Sequence, residues 1–166
     1  MCGSHGHQLR VVGADVGGCG AGSAEEARLR TDLATLHALC TLAYWHHALF
    51  SSGRAHGNNP KVKPFWKDLY NAGAEIVMNG HDHDYERFAP QDPEAGPDPA
   101  KGIREFVVGT GGRQRRPFDS PKSNSEAHNA DTHGVLKLAL HPDHYQWQFI
   151  PVAGATLPDS GSGIGH

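Results

Sequence analysis

The sequence has little that would tie it to a polyanion or a lipid surface. Its 15 lysines and arginines are outnumbered by 18 aspartates and glutamates, for a net charge of −3 over 166 residues. Neither nucleic acid nor an anionic membrane is therefore expected as a partner. No apolar run approaches the roughly 20 residues of a membrane-spanning helix, and the start of the chain lacks the charged-then-apolar order of a signal peptide. No export address is expected in these residues. Cysteine is scarce: Cys2, Cys19 and Cys40 cannot all pair within one chain, and their spacing matches no zinc-ribbon or CxxC pattern. Cys40 opens an apolar run and reads as a small core residue. Cys19 lies in a glycine-rich stretch and leaves an oxidising compartment open. No internal repeat is present.

What the chain has in excess is histidine, 13 in all. Several, including His5, His7, His37 and His166, stand in no ligand-like context and read as solvated. Two groups differ. The apolar run Ala74, Ile76, Val77, Met78 ends in Asn79-Gly80-His81-Asp82-His83-Asp84-Tyr85-Glu86-Arg87, where Gly80 lets the chain turn at the end of a buried strand. If residues 80–85 stay extended, His81 and His83 project to one side about 7 Å apart, a spacing suited to neighbouring ions. Upstream, Cys40-Thr41-Leu42-Ala43-Tyr44-Trp45 reads as a second buried strand, ending in His46-His47. Two strands that both end in histidine can meet at the C-terminal edge of one sheet, where open α/β folds gather their ligands.

Tyr44-Trp45-His46-His47 and Asn79-Gly80-His81-Asp82-His83-Asp84-Tyr85-Glu86-Arg87 resemble the last two motifs of the calcineurin-like metallophosphoesterases. Tyr85-Glu86-Arg87 after GHxH points to the purple acid phosphatase-like branch. The resemblance runs from about Val16 to the C-terminus, through Phe106-Val107-Val108-Gly109-Thr110-Gly111-Gly112 and Asp131-Thr132-His133-Gly134-Val135-Leu136. The earlier motifs of that superfamily are not found in these residues: the Asp-x-His or Asp-x-x-Tyr type, the Gly-Asp type and Gly-Asn-His-Asp/Glu. Asp15 follows a short apolar stretch but matches none of them.

The resemblance implies a mixed α/β fold, the mixed-sheet C-terminal half of a layered metallophosphoesterase sandwich. The remaining half is expected in the same gene or on another chain, so the sequence is expected to be truncated. The resemblance further implies a phosphate-ester substrate and two metal ions, iron, zinc or manganese. His46 and His81 would hold one ion and His83 the other. His56, ten residues after His46, would contact the phosphate or protonate the leaving group. His47 is expected in a supporting role. Relatives of this branch are often secreted.

Within the chain, residues 1–22 are glycine-rich and read as a flexible tail, 23–158 as the half-domain, and 159–166 as a loose Gly/Ser-rich end. Ser23 with Glu26 forms a capping box for a helix over 24–36 whose Leu29, Leu33 and Leu36 should pack on the sheet. Val62, Phe65, Trp66, Leu69 and Tyr70 recur at helical spacing, with Gly73 as the closing glycine. Strand, helix, strand is then a right-handed crossover, which sets His46 and His81 at the same sheet edge. Further strands are expected over 103–108, 133–141 and 144–152, with a proline-rich surface loop over 88–102 and an irregular stretch over 113–131. Gly109-Thr110-Gly111-Gly112 lacks the Lys-Ser/Thr of a phosphate loop and reads as a tight turn near the site.

One physical objection bears on function. Neutral imidazoles bring no charge against two divalent cations, and a bridged pair needs a carboxylate between the ions. In an extended segment Asp82 and Asp84 point away from the histidines. Two classes stay open: a phosphoric ester hydrolase completed by residues outside these 166, and a non-catalytic histidine-rich domain that binds at most one metal.

Overall fold

The computed structural model describes residues 20–35, 40–141 and 143–165. Cys2, Asp15, Cys19, Leu36 and most of the expected N-terminal tail lie outside them. Helix α1 (Ala24–Thr35) begins as its sequence dictates. Glu26 N–H donates to Ser23 Oγ at 3.1 Å, and the Glu26 carboxylate accepts from Gly22 N. The carboxylate thus reaches one residue further back than a strict capping box requires. Leu29 is buried, and α1 packs chiefly on helix α2 (Lys63–Asn71), not directly on the sheet. A 3₁₀ turn (Pro60–Val62) leads into α2, whose Phe65, Trp66 and Leu69 are fully buried. Gly73, at φ +75°, closes the helix, with Ala74 N–H returning to Leu69 O.

The main sheet has the order β1-β2-β4-β3-β5, from β1 (Leu42–Tyr44), β2 (Ile76–Asn79), β3 (Tyr85–Phe88), β4 (Arg104–Val108) and β5 (Ser125–Asn129). Three strands are parallel, β1 to β2 and β2 to β4, and β3 runs antiparallel to β4 and β5. A second, antiparallel sheet joins β6 (Gly134–Leu140), β7 (His144–Pro151) and β8 (Ser160–Ile164). Alternation along the strands divides the core in two. Ala43, Val77 and Val107 face the helices with Trp66 and Phe65, whereas Leu42, Ile76 and Phe106 face Tyr145, Trp147 and Phe149 of β7. The result is three layers: helices, mixed sheet, antiparallel sheet.

Two expectations fail here. The polar stretch over 113–131 contains β5, an edge strand whose residues alternate between half-buried and exposed and so carry no apolar signal. The expected loose end at 159–166 is instead strand β8, anchored by buried Asp159, which accepts two hydrogen bonds from Arg87 at 2.9 Å each. Its glycines are a packing requirement. A Cβ at Gly161 would stand 2.4 Å from the Trp147 ring, and one at Gly163 would stand 2.2 Å from Tyr145. Arg87 and Arg104 both lie over Trp147, with guanidinium carbons 5.0 and 4.9 Å from the ring centre.

Candidate metal centre

Parallel pairing of β1 and β2 brings their C-terminal ends together. The ladder continues past the strands, with Trp45 N–H donating to Met78 O and Gly80 N–H donating to His46 O. Asn79 fastens the two ends from the side, because its amide donates to Trp45 O at 3.0 Å and to His47 O at 3.2 Å. His46 Nε2 and His81 Nδ1 consequently lie 2.9 Å apart. The His47 ring centre is 4.1 Å from that of His81 and the His56 ring centre 3.9 Å from it.

The segment after β2 is not extended. His81 has φ +66°, a left-handed conformation uncommon for a side-chain-bearing residue, and Asp82 N–H folds back onto Gly80 O at 2.8 Å. The expectation of two histidines aligned along a strand is therefore replaced by a turn that separates them. His81 turns toward His46, His47 and His56. His83 binds the Gln114 carbonyl through Nδ1 at 2.8 Å and lies with its ring centre 6.5 Å from that of His56. An imidazole that donates one N–H to a backbone carbonyl has its other nitrogen oriented for a ligand.

The compact group of ligand atoms is His46, His47 and His81, one nitrogen of each lying within 4.8 Å of the others. His47, assigned a supporting role from the sequence, is thus as well placed as His46. The signal was the doubled His46-His47 itself. A separation of 2.9 Å between two nitrogens also fits one shared ion at about 2.0–2.1 Å with an angle near 90°. Burial, then the neighbouring His47, His56 and His46, holds the His81 pKa down at about 4, so its ring is neutral at neutral pH and one of its two nitrogens has a free lone pair for a metal. The donor set fits one transition metal ion. Among the described residues no carboxylate joins that group.

The nearby acids are engaged elsewhere. Asp82 is buried beneath the loop of residues 46–59, accepting from Ser51 Oγ at 2.5 Å, His56 N at 3.2 Å and Gly57 N at 3.0 Å. Glu86 accepts from Ser52 N and Ser52 Oγ, and Glu105 accepts from Leu49 N and Phe50 N. Three buried carboxylates thereby clamp the backbone of the loop that carries His46, His47 and His56. Sequence reading missed this function, although an acid inside an apolar strand, as at Glu105, is its signal. Asp84 is also buried, and neither carboxylate oxygen makes a hydrogen bond among the described residues. Burial first, then Asp82 and Glu86, pushes its pKa up to about 8, which keeps it protonated at neutral pH.

Beside the cluster is a hollow of about 290 Å³, lined by His47, His56, His81, Asp82 and Asn58. A larger, mainly apolar groove of about 830 Å³ runs from His46 and Gly80 along Tyr44, Met78, Leu136 and Leu138.

No family model matches the chain, and no curated protein matches it. Solved structures do. The purple acid phosphatase PPD1 from yellow lupin (Lupinus luteus) seeds superposes with a TM-score of 0.79 at 19% identity, over 93% of this chain and 30% of that one. GAP50, described as the anchor in the inner membrane complex of Plasmodium, gives 0.64 at 12% identity over 86% of this chain and 42% of that one. PhoD gives 0.57 at 14% identity over 86% of this chain and 32% of that one. The chain spans less than half the length of each. Over nearly all of its own length, it has the mixed α/β fold of a purple acid phosphatase-like metallophosphoesterase.

Proposed function

We propose that these residues form the histidine side of a metal-dependent phosphoric ester hydrolase. The observation that carries the reading is the meeting of His46 and His81, 2.9 Å apart, at the C-terminal ends of parallel strands in a phosphoesterase fold. His46 and His81, with His47 beside them, would hold one ion, and His83 would serve a second. Iron, zinc or manganese suits imidazole donors. A bound ion would supply Lewis acidity toward a phosphoryl oxygen.

The rest falls to the chain. The hollow beside the His56 and His81 rings, which are in contact with each other, would admit a phosphoryl group at their edges. His56 is held there through its own backbone, since His56 N–H is anchored on Asp82. As an imidazolium it can donate a proton to the departing alkoxide when the P–O bond breaks. The carboxylate that two cations require would come from a segment outside the described residues, in the same gene or on another chain, with the apolar groove beside His46 open to receive it.

The engagement of Asp82 within the loop, and the lack of any carboxylate in the histidine group, favour a second reading. Alone, the chain would be a non-catalytic domain that binds one metal. Titration calorimetry with Zn²⁺ and Mn²⁺ on the wild-type chain and on His46→Ala, His47→Ala, His81→Ala and His83→Ala tests the shared metal centre on which both readings rest. Loss of one tight site in His46→Ala and His81→Ala supports the shared centre. Undiminished affinity in both would remove it. The response of His47→Ala against that of His83→Ala decides which of the two is the further ligand.

A further inference from the structure

A second pair of histidines stands where β6 turns into β7, far from the first group. Gly134, which opens β6, lines the same groove as His46 and Gly80, and its N–H donates to Thr110 O at 3.2 Å. From Gly134 the strand runs to Leu140, roughly 20 Å away at about 3.3 Å per residue. His141 and His144, at the far end, therefore cannot share an ion with His46 and His81.

The ladder sets both rings. β6 and β7 pair as far as Leu140 and Tyr145, and His141 N–H then donates to His144 O at 2.9 Å, so the two histidines stand directly opposite each other. Tyr145 is buried, and alternation sends His141 and His144 to the outer face of the sheet, where both are half-exposed. Their rings stack there, with centres 4.2 Å apart and planes within 6°. Gly165 N–H holds the turn from the β8 side by donating to Asp143 O at 2.9 Å. The Asp143 carboxylate lies 2.7 Å from His144 Nδ1, and that hydrogen bond holds its pKa below the usual carboxylate range. Nδ1 therefore carries the proton and Nε2 presents its lone pair outward, the orientation that a carboxylate imposes on a ligating imidazole. Half-exposed side chains rotate readily, and a splay of the two rings brings their lone pairs onto one ion at about 2.0–2.1 Å.

We propose that His141 and His144, with Asp143 orienting His144, form a second metal site at the β6–β7 turn, for a divalent ion of the copper, nickel or zinc type. Such ions favour imidazole, whereas Mg²⁺ and Ca²⁺ favour oxygen donors and should pass the site by. Two protein nitrogens leave the other positions of the ion to water or to a donor from another molecule. The site is thus open, and weaker than a group of three histidines. It is independent of the phosphoester reading, because no residue is common to the two.

Ni²⁺ is the probe, since it is paramagnetic and free thiols do not reduce it. It is titrated into the wild-type chain and into His46→Ala/His47→Ala/His81→Ala, which lacks the first group, and followed by calorimetry and by broadening of amide resonances. In the variant without the first group, broadening should centre on residues 139–146, and Zn²⁺ but not Mg²⁺ should reverse it. Adding His141→Asn or His144→Asn should abolish that binding, and adding Asp143→Ala should weaken it about tenfold, as when the partner of a ligating imidazole is lost. These side chains lie on the outer face, so melting temperatures without metal should not change. Broadening centred elsewhere, or binding that survives the loss of both His141 and His144, overturns the proposal. Equal affinity in Asp143→Ala overturns the orienting role given to that carboxylate.

Discussion

Replacing Gly109 by alanine should damage the candidate metal centre from a distance, without removing any of its histidines. Gly109 follows β4 and lies against the turn that carries the histidines. A Cβ built on it would stand 1.8 Å from Asp82 O, 2.7 Å from the Asp82 carbonyl carbon and 3.0 Å from His83 Cα. Carbon and oxygen atoms rest near 3.5 Å, so the Asp82–His83 backbone would have to retreat by about 1.7 Å. It is not free to do so. Asp82 is tied by its amide to Gly80 O and by its carboxylate to Ser51, His56 and Gly57, and His83 is tied to Gln114. Overpacking of this kind costs about 1–3 kcal/mol, more when backbone must yield. At about 3 kcal/mol the melting temperature of a domain this size should fall by about 6–12 °C. Because the displaced atoms lie between His81 and His83, metal affinity should fall by about 10- to 100-fold, as when a supporting contact to a ligand is lost. The control is Gly111→Ala, two residues on, where a Cβ meets nothing within 4 Å. The assay is thermal unfolding with chelator, followed by Zn²⁺ titration. Equal melting temperature and metal affinity for Gly109→Ala and Gly111→Ala would refute the steric argument.

Asp84 supplies a pH-dependent test. Its pKa is pushed up to about 8 from an ordinary 3.8, so the folded chain binds this proton more tightly than the unfolded one. Its contribution to stability is complete below about pH 4 and is lost as pH rises toward 8, by several kcal/mol in all. Asp84→Asn should remove that decline, and denaturant midpoints from pH 5 to 8 measured with chelator will show it; an unchanged slope would contradict the buried, protonated acid. His81 should contribute in the opposite sense. With its pKa held at about 4, protonation favours the unfolded chain between pH 6.5 and 4, so His81→Ala should lessen acid destabilisation in that window. Glu105→Ala should release Leu49 N and Phe50 N from the loop clamp, costing about 2–4 kcal/mol and raising amide exchange at residues 49–52; unchanged exchange there would show that the clamp is dispensable. The apolar groove beside β1 and β6 should favour self-association of the isolated chain, read by sedimentation at rising concentration; a monomer throughout would count against an unfilled docking groove.

The parts of the fold legible in the sequence are those where a residue's neighbours in the chain decide its environment. The apolar runs at Leu42 and at Ile76–Asn79 announce buried strands, and the intervening 3.6-residue pattern announces α2, so the parallel pairing that joins His46 to His81 follows. The capping box at Ser23 is equally local. Other features depend on contacts across the sheets. Ser125–Asn129 pairs at an edge with a half-exposed face and shows no hydrophobic period. Ser160–Ile164 looks like a flexible end because its glycines answer to the Trp147 and Tyr145 rings, which are not sequence neighbours. The third parallel strand, β4, lies beside β2 because β3 returns antiparallel on its far side, a strand order that local patterning does not encode. At the site, the histidines could be read but the left-handed turn at His81 could not, since a positive φ stays uncommon for any non-glycine residue even though histidine tolerates it better than most. The clamp formed by Asp82, Glu86 and Glu105 is announced only by the acid within an apolar run at Glu105, and its partners are not, because each carboxylate finds them 25 to 56 residues away.

In the proposed function these histidines form one side of a hydrolytic metal centre whose carboxylates lie outside the described residues. The most direct measurement is the turnover of a generic aryl phosphate with added metal, by this chain alone and by the chain joined to an upstream segment carrying the Gly-Asp and Gly-Asn-His motifs, each with and without His81→Ala. Removing a single oxyanion donor already costs about 10²–10³ in rate, and the ligands that the proposed function places outside the described residues would hold more than one such interaction. The chain alone should show little turnover above buffer and at most one tightly bound ion, and the extended protein should show activity that His81→Ala abolishes. Robust turnover by the chain alone, lost in His81→Ala, would show that its own acids complete the site and contradict the claim; activity in the extended protein that survives His81→Ala would contradict it from the other side.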